Sequence, residues 1–150
     1  MKKSILPLTL SLLLATAVPA VWGGEEMPGL EMGGSKGVML NPASPQDGVM
    51  AMAHLYDIQA AMSKNGRQET HHLMVIFTDS AQGKPITQGL AAVKVTGPDG
   101  VKGAPVKMMP MGDGFGADLT LARPGKYDFE VGTKLADSRR RVFTFSYLRK

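Results

Sequence analysis

The sequence predicts an all-β fold, an immunoglobulin-like β-sandwich of about seven strands. Three observations carry that prediction. Apolar and polar residues alternate in short runs through the C-terminal two thirds. Turn signals recur every ~8–12 residues, the cadence of a sandwich. Glycine and proline are abundant, 18 and 10 of 150 residues, so the chain turns often. The length allows one ordinary domain. There is no cysteine, which excludes a disulfide framework, a thiolate metal centre and a thiol nucleophile. Aromatics are sparse at 6%, whereas methionine is plentiful at 11 residues.

Residues 1–24 read as a secretory signal peptide. Lys2 and Lys3 form its positive start, Ile5 to Val18 its apolar stretch, and Val18-Pro19-Ala20 a small-residue cleavage site. That stretch is shorter than the roughly 20 residues of a spanning helix. The expected destination is the periplasm or the exterior. Residues 25–48 read as a mobile Gly/Pro/Met tether, with turn signals at Asn41-Pro42, Ser44-Pro45 and Asp47-Gly48 and thioethers at Met27, Met32 and Met39. Residues 49–150 form the expected β-sandwich domain. Without Lys2 and Lys3 the chain has a net charge of +2, too weak for nucleic-acid binding. The late cluster Arg139, Arg140, Arg141, Arg149 and Lys150 reads as a solvated edge and tail, with an anionic surface or partner as the alternative.

Within the domain, residues 49–66 fit either a strand or a helix. The favoured reading is a strand to about Asp57, then a helical turn over Gln59 to Lys64. His71 to Thr78 alternates as a strand, with Leu73, Val75 and Phe77 on one face. Leu90 to Thr96 follows, with Ala91, Val93 and Val95 inward. Pro98-Asp99-Gly100 turns the chain into a run from Val101 to Met109. Gly112-Asp113-Gly114 opens a hairpin into Phe115 to Leu121, and Arg123-Pro124-Gly125 opens the next into Tyr127-Phe129-Val131. The last strand is Val142 to Leu148.

Five short segments carry a family resemblance: Phe77-Thr78-Asp79, Gly83-Lys84-Pro85, Val93-Lys94-Val95, Met108-Met109-Pro110-Met111 and Pro124-Gly125-Lys126-Tyr127. Over residues 70–148 this order resembles the YtkA-like and FixH-like group of small exported immunoglobulin-like sandwiches. These are allied in architecture to the CopC-like copper proteins. The resemblance implies copper handling or oxidase assembly. Unlike the CopC type, this chain has no histidine at the N-terminus that cleavage would create, which counts against a Cu(II) site using the terminal amine.

The three histidines lie near methionines. Met50-x-Met52-x-His54 puts two thioethers and an imidazole on one strand face, and His72-x-Met74 repeats the pattern on the next strand. If these strands pair, the two sets face each other at about 5 Å. Thioether with imidazole suits Cu(I). Met50 and His54 are separated by about 13 Å of extended strand, so one ion does not take both. The leading ligand set is His54, His72, Met74 and Met52. Met50 and Met111 are further candidates, and His71 is a weaker one because it shares the core face with Leu73.

Other chemistry has less support. Ser138 and Ser146 have no neighbouring histidine, and no nucleophile elbow occurs. Asp57, Asp79, Asp113 and Asp118 lack EF-hand spacing. Gly112 to Gly116 joins two strands, whereas a phosphate loop opens a helix. The sequence therefore predicts a non-catalytic metal-binding or metal-delivery protein, with copper as its ion and neither nucleic acid nor a small-molecule substrate. The alternative is an immunoglobulin-like adaptor that docks on an envelope or membrane-protein partner and uses methionine only for packing.

Overall fold

In the computed structural model, residues 37–150 are described. The signal-peptide expectation and most of the tether, with Met27 and Met32, lie outside them. Eight antiparallel strands and one short helix follow in order: β1 Gly37–Met39, β2 Val49–Asp57, α1 Gln59–Lys64, β3 His71–Asp79, β4 Gly89–Thr96, β5 Val106–Met111, β6 Gly114–Leu119, β7 Gly125–Leu135 and β8 Arg140–Arg149. The fold is all-β and sandwich-like, with eight strands where about seven were expected.

The strands run β1-β2-β3-β6-β5-β4-β7-β8. The series turns over at β5. Its first half pairs with β4 through Ala91↔Met108 and Val93↔Val106. Its second half pairs with β6 through Met109↔Gly116 and Met111↔Gly114. The two ends of the series thus lie face to face, and Phe77 of β3 meets Phe143 of β8 at 5.4 Å between ring centroids. Between the layers sit Leu55, Leu73, Val75, Phe77, Val93, Phe115, Phe129, Val131 and Phe143, all buried. Alternation explains this set, because every second residue of each strand points inward. Completely burying one such side chain contributes about 1.5–3 kcal/mol.

The segment from 49 to 66 follows the favoured reading, strand to Asp57 and helix over Gln59–Lys64. Three other elements depart from expectation. The domain begins before residue 49: Gly37–Met39 pairs with Tyr56, Leu55 and His54, and Leu40 enters the core. Among the described residues the expected tether is involved from Gly37 onward, where backbone pairing to the β2 edge and one buried leucine hold it. The run expected from Val101 begins as a strand only at Val106, because Gly103 and Pro105 interrupt it. The turn at Arg123-Pro124-Gly125 joins no hairpin. It carries the chain from β6 in one layer to β7 in the other. There Tyr127 OH donates to Arg123 O at 2.8 Å and accepts from Arg123 N at 3.0 Å, a tyrosine corner that pins the crossover.

Candidate metal centre

The outer face of the β1-β2-β3-β6-β5 layer carries the candidate ligands. Antiparallel register sets them in rows. One row reads Met39↔His54, His54↔Met74, Met74↔Gly116 and Gly116↔Met109. Its neighbour reads Gly37↔Tyr56, Tyr56↔His72 and His72↔Asp118. Directly opposed side chains lie about 5 Å apart. Three of the four leading candidates, His54, His72 and Met74, therefore meet on one surface. Tyr56 stands between the imidazoles, with ring centroids 6.4 Å from His54 and 6.5 Å from His72.

Although this is the outer face, its middle is dry. Tyr56, Ile58 and Met74 are buried, and Met62 of α1 and Ile76 pack against them. His72 is 4% exposed. Its Nδ1 lies 2.7 Å from Asp118 Oδ1, and Asp118 Oδ2 accepts from Arg67 at 3.2 Å. An ionised carboxylate only accepts, so Nδ1 donates to Asp118, and in the tautomer with its single proton there Nε2 presents a lone pair. That Nε2 is buried and has no hydrogen-bond partner. Leaving such a group unsatisfied costs about 1–3 kcal/mol.

Gly116 explains what the lone pair faces. A Cβ on Gly116 would lie 2.7 Å from His72 Nε2 and 3.6 Å from Met111 Sδ. The missing side chain leaves a gap that the edge of the imidazole fills, and the Met111 thioether sulfur lies beside it. Met111 faces outward beside Gly114 and is partly exposed. The donor set is one nitrogen and soft sulfur, the chemistry that Cu(I) accepts. Among the described residues no group of three or more His, Cys, Asp or Glu side chains could hold a metal ion, so an oxygen-rich site for a hard cation is not formed there.

The remaining candidates lie apart. Met52 opposes Ile76 and Met50 opposes Thr78. They sit two and four residues from the His54 row, about 7 and 13 Å along the strand. Met52 borders the cluster at its rim, and Met50 is outside it. His71 is on the opposite face of β3 and cannot join its neighbour, because successive strand side chains alternate. It is buried in the core, with Nδ1 2.7 Å from Thr70 Oγ1 and its ring 5.9 Å from Tyr147. Burial, with the Arg149 cation opposing protonation as well, holds its pKa below the usual histidine value.

Sequence reasoning missed Asp118 and Gly116, and it placed Met39 on a mobile tether, whereas Met39 pairs opposite His54. Asp118 and Gly116 have a signal in Gly114-Phe115-Gly116-Ala117-Asp118. On a strand this leaves two outward positions empty and puts a carboxylate at the third. Its meaning depends on the pairing of β6 with β3, which no local pattern encodes.

No protein-family model matches the chain, and no curated protein matches its sequence. Solved structures match its fold. FetP of a uropathogenic Escherichia coli strain, expressed in the periplasm, superposes with a TM-score of 0.57 at 14% identity, over 77% of this chain and 98% of that one. A copper-bound variant of that FetP gives a TM-score of 0.59 at 11% identity, over 76% and 97%. At these identities the likeness is one of fold.

Proposed function

We propose that this protein is an exported, non-catalytic copper-binding protein that holds Cu(I) between His72 and Met111, beside Gly116, and passes it to an envelope partner. The observation that carries the reading is the buried, unpartnered Nε2 of His72 beside the Met111 sulfur. His72 and Met111 are the primary ligands. Met74, in the row between them, completes the set, and His54 lies beyond Tyr56 at its margin. Asp118 fixes the imidazole so that Nε2 faces the ion, the outer-shell role that carboxylates play for metal-bound histidines. Low coordination and partly exposed sulfur suit transfer by ligand exchange. The fold likeness to a copper-bound FetP variant points the same way.

Competition for Cu(I) against a chromophoric chelator tests the proposal. The chain without residues 1–24 should take one Cu(I) per molecule. His72→Ala should abolish binding, and His54→Ala should weaken it. Failure of the unsubstituted chain to compete would end the copper reading.

A further inference from the structure

The opposite layer has a groove that the copper reading leaves unused. It crosses the outer face of β5, β4, β7 and β8, with a volume of about 490 Å³. Register sets its walls and floor. One row runs Lys107↔Ala92, Ala92↔Gly132 and Gly132↔Val142. The next runs Leu90↔Lys134 and Lys134↔Arg140. Ala92 and Gly132 form a low floor, and a Cβ on Gly132 would meet nothing within 4 Å. Leu90 and Val142 stand beside it, 63% and 51% exposed.

Three cations surround this apolar floor: Lys107 at one end, Lys134 and Arg140 at the other. None of them makes an ion pair among the described residues. The fourth basic residue there, Arg141, points inward to Asp137 and the carbonyls of Gln46 and Asp47. No acidic residue lines the groove. Elsewhere on the same face Lys102 pairs with Glu130 and Lys126 with Asp128.

From this we infer that the groove is a docking site for a protein partner's acidic segment, one apolar side chain flanked by carboxylates. The apolar side chain lies over Gly132 between Leu90 and Val142, and the flanking carboxylates meet Lys134 and Arg140 on one side and Lys107 on the other. The other occupants fit less well. β4 and β7, which form the floor, are each paired on both sides, and an added strand would pair along the outer edge of β8, away from that floor. A second copy in a two-fold contact would bring the same three cations against themselves. A flat lipid surface cannot follow a floor that lies below its walls.

The test uses a fluorescein-labelled peptide with one phenylalanine between two pairs of glutamates, a lysine-flanked control peptide, and anionic phosphatidylglycerol vesicles. The chain without residues 1–24 should raise the anisotropy of the acidic peptide only, and salt should weaken the effect. Gly132→Leu fills open space without a clash, and it should lower affinity at least tenfold, as should Lys134→Glu with Arg140→Glu. Cu(I) uptake should be unchanged in these variants, because the groove and the His72–Met111 site are on different layers. No binding of the acidic peptide, equal binding by Gly132→Leu, or binding to vesicles in its place would each overturn the inference.

Discussion

The two outer faces of the sandwich are each organised around a strand glycine, and the two glycines do opposite things. At Gly116 the vacant Cβ position is bordered by His72 Nε2 at 2.7 Å and Met111 Sδ at 3.6 Å. At Gly132 the same vacancy opens to solvent, with nothing within 4 Å. Donor atoms crowd the first, and cations with aliphatic walls surround the second. A glycine in a strand sacrifices stability relative to alanine. What each sacrifice provides is set by its neighbours: close approach of the His72 imidazole to the β6 backbone at Gly116, and a floor for another molecule at Gly132.

The largest test of this contrast is the same substitution made at both positions. Gly116→Ala forces His72 off Asp118 or displaces the β6 backbone. Overpacking of this kind costs about 1–3 kcal/mol. Cu(I) affinity should fall on the order of a hundredfold, as when a metal-bound histidine is displaced from its supporting group. Gly132→Ala should instead stabilise the protein by about 0.5–1 kcal/mol and leave Cu(I) affinity unchanged. Chemical denaturation and chelator competition on both variants decide this. Destabilisation of the same size at both sites would remove the distinction.

Asp118→Asn is the next test. The neutral amide keeps the shape but loses the charge that holds Nδ1–H, and it weakens the contact with Arg67. Cu(I) affinity should fall about 10- to 100-fold with little change in far-ultraviolet circular dichroism. Asp118→Glu should recover part of the loss. A variant that binds Cu(I) as tightly as the parent would show that His72 needs no orienting carboxylate.

These tests also mark where the sequence was legible. Alternation alone put His54, His72 and Met74 outward and Leu73, Val75 and Phe77 inward, because a strand's period of two is a local property. The helical turn at Gln59–Lys64 was legible from the change of period and the Asn65-Gly66 stop. What stayed hidden is nonlocal. The Gly116 gap exists only because Gly116 pairs with Met74 on one side and Met109 on the other. Likewise, the groove needs Ala92, Gly132 and Val142, from three separate strands, in one row. β1 escaped notice because three residues, one of them glycine, show no periodicity. The cluster at Arg139 to Arg141 read as one solvated block, yet alternation splits it. Arg140 faces the groove, whereas Arg141 is 5% exposed and turned inward.

That split gives the smallest predicted effect and the sharpest check on which arginine belongs to which region. Arg141 donates to Asp137 at 2.5 and 2.9 Å and to the carbonyls of Gln46 and Asp47, each at 3.2 Å. It thereby ties the loop before β2 to the β7–β8 turn. Its hydrogen bonds to the carboxylate lower the Asp137 pKa from 3.8 to about 2. A depressed carboxylate pKa stabilises the fold above its unfolded value, and the contribution disappears as pH falls through the folded value. The melting temperature should therefore fall between about pH 4 and pH 2, and Asp137→Asn should flatten part of that slope. Amide protection at Gln46 and Val49, whose N–H groups bond across that loop, should fall over the same range while protection along β3 persists. Acidic-peptide binding should follow Lys134 and Arg140 and be indifferent to Asp137→Asn at pH 7, since Arg141 contributes its charge to the loop rather than to the groove. If Asp137→Asn weakened peptide binding as strongly as Lys134→Glu, Arg141 would belong to the groove and the boundary drawn by alternation would be misplaced.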